Sequence, residues 1–85
     1  MLAAEEVRGT IRKFIVDNFL VGAEESSLRD EDSFMEKALI DSTGILEVVD
    51  FIENTFSLKV EDDELLPENL DSISFLVDFV TRKLS

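Results

Sequence analysis

Three stretches of this chain place apolar residues at the spacing of one helix face, and none alternates as a strand would. Val7, Ile11, Phe14 and Ile15 stand at i, i+4, i+7 and i+8. Ile45, Val48, Val49, Ile52 and Phe56 repeat the pattern, and so do Ile73, Leu76, Val77, Val80 and Leu84. A stripe with a 3.6-residue period must be buried against other helices, so the chain is predicted to be all-α. The first helix is expected over residues 3–20, with Glu5 and Glu6 at its positive end and Gly22 as a stop. The second should run from Ser42 to Thr55 or Phe56. The last should begin near Ser72, capped by Asp71, and end near Lys83.

The connections are less regular. Residues 23–41 are mostly polar and read as a long loop pinned by some of Leu28, Phe34, Met35, Leu39 and Ile40, with a short turn near Phe34 to Lys37. Residues 57–70 form a second connector around the acidic run Glu61-Asp62-Asp63-Glu64. There one turn is expected from Asp62 to Leu65, Pro67 blocks its continuation, and Val60, Leu65, Leu66 and Leu70 can all face inward. The expected architecture is a small bundle of three longer helices plus one short helix or turn, one domain over residues 1–85. A chain of this size buries roughly 60% of its unfolded surface, enough for one modest core.

Composition narrows the function. There is no cysteine and no histidine, so thiolate chemistry, disulfides and the usual general base are missing. Twenty acidic against eight basic residues give a net charge of -12, which repels nucleic acid and anionic membranes and favours basic protein partners. No apolar run approaches membrane-spanning length and no basic-then-apolar leader opens the chain, so a cytosolic, monomeric protein is expected. The run Asp30-Glu31-Asp32 invites a calcium loop, but the sixth position is Met35 and the twelfth Asp41, where glycine and glutamate are needed. No metal site is expected. The row Glu47, Asp50 and Glu53 on the second helix is either a solvated outer face or a docking strip for basic partners.

Ser42 stands where the polar loop becomes the second helix. Its hydroxyl can satisfy an orphan backbone N–H of the first turn, or it can carry a covalent group. A catalytic nucleophile is disfavoured, because no histidine can activate it and nothing places Lys37 against it. Gly44, a poor helix former in that first turn, suggests that something approaches the backbone there.

The run Ile40-Asp41-Ser42-Thr43-Gly44-Ile45-Leu46 resembles the Asp-Ser-Leu motif of acyl carrier proteins. So do the preceding helix, the Ser33-Phe34 pair, the acidic segment near Glu61 to Glu64, the closing helix, and the length and charge. The resemblance covers essentially the whole chain. It implies an acyl-carrier-protein-like four-helix bundle and no catalysis by the chain itself. It implies that Ser42, with Asp41 as motif neighbour, carries 4′-phosphopantetheine from coenzyme A, and that acyl or aminoacyl cargo rides on this arm as a thioester. It places Thr43, Leu46, Glu47, Asp50 and Glu53 toward partners. Those implied are a phosphopantetheinyl transferase, and acyl- or aminoacyl-adenylating ligases, acyltransferases or synthases with basic docking patches. Thr43 replaces the usual leucine, Gly44 follows it, Asp50 stands where an apolar residue is common, and the 65–69 connector is slightly long. The resemblance implies a role in fatty acid, polyketide, nonribosomal-peptide or related specialised biosynthesis. The departures make the partner-facing surface more polar than in carriers of the common fatty acid pathway, and point to a specialised carrier of polyketide, nonribosomal-peptide, aminoacyl or surface-polysaccharide type. The alternative is a small acidic helical adaptor that binds basic proteins unmodified.

Overall fold

The computed structural model describes residues 3–20 and 28–84. Four helices occur among them: α1 (Ala4–Phe19), α2 (Ser42–Phe56), α3 (Pro67–Leu70) and α4 (Ile73–Leu84). A 3-10 turn, Asp62–Glu64, precedes α3. The expected stop at Gly22 and the start of the loop, residues 23–27, lie outside the described residues.

The stripes make the core. Val7, Ile11 and Ile15 of α1 meet Ile73, Leu76, Phe79 and Val80 of α4, and Val48, Val49, Ile52 and Phe56 close over them from α2. Each such side chain contributes roughly 1.5–3 kcal/mol when fully buried. Phe79 lies outside the expected stripe and is buried; Val77 and Leu84 lie on it and are only half-buried. Phe14 packs flat on Phe51 of α2, with ring centroids 4.0 Å apart, and so ties the outer edges of α1 and α2.

The connectors differ from expectation in two places. Residues 57–70 hold a 3-10 turn at the acidic run and then a separate short helix, because Pro67 occupies the first position of α3. Proline is well suited to that position: its fixed φ is helical and the N–H it lacks would have had no partner. The 3-10 turn is fastened to the end of α4, where the Lys83 ammonium lies 2.9 Å from Glu64 Oε1. That ammonium, together with the Glu61 N–H, holds the Glu64 carboxyl below the usual carboxylate range. Leu65 and Leu66, expected to face inward, are 38% and 41% exposed.

The cap of α4 also differs. Ser72 is buried and its hydroxyl accepts the Phe75 N–H at 3.0 Å, so Ser72 rather than Asp71 caps the helix. The Asp71 carboxylate turns instead to the long loop, where it accepts from the Ser33 hydroxyl and from the Met35 N–H. The loop is held at its other end by Asp30. That carboxylate meets the guanidinium groups of Arg8 and Arg12, and its backbone carbonyl accepts the Ser74 N–H at 2.9 Å. Phe34 is fully buried between these two fastenings. The expected turn forms at residues 34–38 and ends with Ala38 at φ 53°, a left-handed conformation unusual for alanine.

Candidate functional site at the start of α2

Asp41 is the N-cap of α2: its backbone is extended and its Oδ1 accepts the Gly44 N–H at 2.8 Å. Ser42 is therefore the first helical residue and not the cap. Its side chain is exposed, and its hydroxyl has no hydrogen-bond partner among the described residues. The N–H groups of Ser42 and Thr43, like those at the start of any helix, have no intrahelical acceptor. Together with the helix dipole they make the surroundings of the Ser42 hydroxyl favourable to an anion. Lys37 does not reach it; its ammonium pairs with Asp32 at 3.3 Å. The Arg29 N–H, and after it Lys37, hold the Asp32 carboxyl below its ordinary range.

Gly44 is where the site packs most tightly. A Cβ there would lie 2.7 Å from Ile40 Cγ2, 3.1 Å from the Phe19 ring and 3.3 Å from Asp41 Oδ1. Ile40 is β-branched and buried, so its methyl has little room to retreat. Gly9, in the middle of α1, has nothing within 4 Å. The two glycines should therefore respond with opposite signs. Gly9→Ala should stabilise by about 0.5–1 kcal/mol through helix propensity. Gly44→Ala should destabilise, because overpacking of about 1–3 kcal/mol outweighs the same gain. Urea denaturation of both variants checks this, and a stabilised Gly44→Ala would show that α2 has slack at its start.

Ser42 opens onto a groove of about 150 Å³. Ile45 and Leu46 of α2 form its floor, and Met35 of the loop forms one wall. Leu65, Leu66, Pro67 and Leu70 form the other, so Ser42 supplies the only polar side chain among the described lining residues. Met35 and Leu46 are 53% and 59% exposed, and together with Leu65 and Leu66 they gather most of the large exposed apolar side chains of the described residues at this groove. Solvent-facing clusters of this kind mark surfaces that meet ligands or partners. The groove was not legible in the sequence. Met35, Leu65 and Leu66 carry no periodicity that separates an exposed leucine in a connector from a buried one.

The residues expected to face partners are not all alike. Thr43, Leu46, Glu47 and Asp50 are exposed along one side of α2. Glu53 is only half-exposed, and its Oε2 accepts the Val60 N–H at 2.8 Å. The expectation of a freely exposed Glu53 is corrected to that extent: the carboxylate fastens the chain as it leaves α2, where the backbone N–H of Val60 needs an acceptor.

No family model matches the chain. The acyl carrier protein of Acidothermus cellulolyticus is 30% identical over 81 residues, which are 95% of this chain and 92% of that protein. With a similarity that runs nearly end to end, over an all-helical bundle with an exposed serine at the start of its second long helix, the chain belongs to the acyl carrier protein family.

Proposed function

We propose that the chain is a non-catalytic carrier whose Ser42 is the attachment point of a 4′-phosphopantetheine arm. The observation that carries this reading is the exposed, unengaged Ser42 hydroxyl at the start of α2, with an apolar groove beside it. The features around Ser42 fit such an arm: the first-turn N–H groups suit its phosphodiester and the groove suits an apolar group at its far end. The arm supplies a terminal thiol, on which acyl groups are held as thioesters.

The roles of the chain's own residues follow from their positions. Asp41 satisfies the Gly44 N–H, which leaves the serine hydroxyl free to react. When the arm is attached, the serine oxygen forms a new bond to phosphorus, the adenosine bisphosphate half of coenzyme A leaves, and the hydroxyl proton is lost. Among the described residues no side chain is hydrogen-bonded to the Ser42 hydroxyl, the chain has no histidine, and Lys37 is engaged with Asp32, so we assign the base to the transferase. Among the described lining residues an ammonium group would find no side-chain acceptor other than Ser42 itself, so the lining favours apolar acyl over aminoacyl cargo.

Glu47 and Asp50, exposed on α2, steer basic patches of partner enzymes toward Ser42. Reversing both, Glu47→Lys with Asp50→Lys, should slow attachment by about tenfold or more at low salt. It should leave stability within about 0.5 kcal/mol, as is usual for exposed sites. An unchanged rate at low salt would remove the steering role. The reading as a whole is tested by incubation with coenzyme A and a broad-specificity phosphopantetheinyl transferase. The intact mass should rise by one phosphopantetheine in the wild type and not in Ser42→Ala. An unchanged wild-type mass, with a control carrier modified in the same mixture, would overturn it.

A further inference from the structure

The two walls of the Ser42 groove come from segments with little order of their own. One is the turn of the loop that carries Met35. The other is α3 with the residues just before it, and α3 is four residues long. A single helical turn is not stable in isolation, so the separation of these walls depends on what ties them together. One residue joins both. Asp71 follows α3 directly, and its N–H donates to the Pro67 carbonyl at 2.9 Å. Its own carbonyl accepts the Phe34 N–H at 2.8 Å. Its Oδ1 accepts the Met35 N–H at 3.1 Å, and its Oδ2 accepts from the Ser33 hydroxyl. Ser33 in turn accepts the Glu36 N–H at 3.2 Å, which closes the turn around Met35.

We propose that Asp71 is a positioning residue that sets the width of the groove beside Ser42, and thereby the length of acyl chain that is sheltered there. This rests on the carrier reading above. A cavity of roughly 150 Å³ takes a guest the size of benzene. The groove, at about 150 Å³, therefore covers an acyl chain of about six carbons and leaves longer chains projecting into solvent. Without the Asp71 carboxylate, the Met35 wall keeps the Phe34 backbone bond and the buried Phe34 ring but loses both side-chain bonds that fix its distance from α3, and the groove loses its fixed width.

The test compares wild type, Asp71→Ala, Asp71→Asn, Ser33→Ala and, as a control for general loss of stability, Ile11→Val in the core of α1. The first readout needs no cargo: amide hydrogen exchange in the unmodified protein. Exchange at Met35 should be about tenfold faster in Asp71→Ala and near wild type in Asp71→Asn, whose side-chain oxygen still accepts that N–H. The second readout loads the arm with straight-chain acyl groups from acetyl to decanoyl and measures cleavage of each thioester by hydroxylamine. Wild-type protection should rise by up to about fourfold per sheltered methylene and level off near hexanoyl. Asp71→Ala should lose that break, Ser33→Ala should blur it in part, and Asp71→Asn and Ile11→Val should keep it. If Asp71→Ala fails to fold, Ser33→Ala still decides the matter: with Asp71→Asn keeping the break as the control, a break in Ser33→Ala as sharp as in wild type would contradict a width set by these side-chain bonds. Normal attachment at Ser42 with an unaltered break in Asp71→Ala would overturn the inference alone. No attachment in any protein would overturn the carrier reading and the inference with it.

Discussion

Phe34→Ala should cost about 3–5 kcal/mol, the range for removing a fully buried phenylalanine side chain. The side chain has no exposed surface, and it lies in the middle of the long loop. A domain of this kind is stable by only about 5–15 kcal/mol in total, so the loss takes away a large share. In a chain of this length each kcal/mol moves the midpoint by about 4–8 °C, and a thermal scan followed by circular dichroism reads the change directly. Local consequences should be as large. Phe34 is the one deep apolar anchor between the Asp30 and Asp71 fastenings, and its carbonyl accepts the Leu39 N–H at 2.9 Å just before Ile40 and Asp41. Removing the ring should loosen the turn that leads into Ser42 as well as lower the melting temperature. Phe34→Leu, which keeps a branched apolar group in the site, should cost less. A Phe34→Ala variant that melts within a few degrees of wild type would mean that the loop is held by its polar fastenings alone.

What could be seen in the sequence follows from the size of the signal each element leaves. The helices α1, α2 and α4 are long enough to repeat their apolar stripe, and their expected bounds match the structure to within about one residue. α3 has one turn and no repeat, and Pro67 was expected only to end a turn. The same ring that prevents the 3-10 turn from continuing begins the next helix. Caps were legible as positions but not as assignments. Aspartate and serine cap almost equally well, and both helix starts carry an Asp-Ser pair. At α2 the aspartate caps and frees the serine, whereas at α4 the serine caps and frees the aspartate. Tertiary structure decides which: Asp71 has Ser33 and the Met35 N–H to bind, and among the described residues nothing comparable pulls Asp41 away from Gly44.

The site shows the same division. The place of Ser42 at the start of α2 and the close approach at Gly44 could be inferred from residues that are close in sequence. The groove could not, because its walls are brought together by Asp71 from segments more than thirty residues apart. Glu53 looks identical to Glu47 in the helical pattern. It differs only because the chain doubles back after Ser57, whose φ of 54° ends α2, and brings the Val60 N–H to its carboxylate.

The proposal for Ser42 implies an all-or-none result at single-residue resolution. Thr43 is its exposed neighbour, with a hydroxyl in the same first turn, and it provides an internal comparison. If the arm is directed by the position that Asp41 leaves free, modification belongs to Ser42 alone. After incubation with coenzyme A and a phosphopantetheinyl transferase, fragmentation of the peptide spanning Leu39 to Leu46 should place one phosphopantetheine on Ser42 and none on Thr43. Thr43→Val should be modified as wild type and Ser42→Ala not at all. Attachment to Thr43, attachment that persists in Ser42→Ala, or an unmodified peptide beside a modified control carrier would contradict the assignment of Ser42.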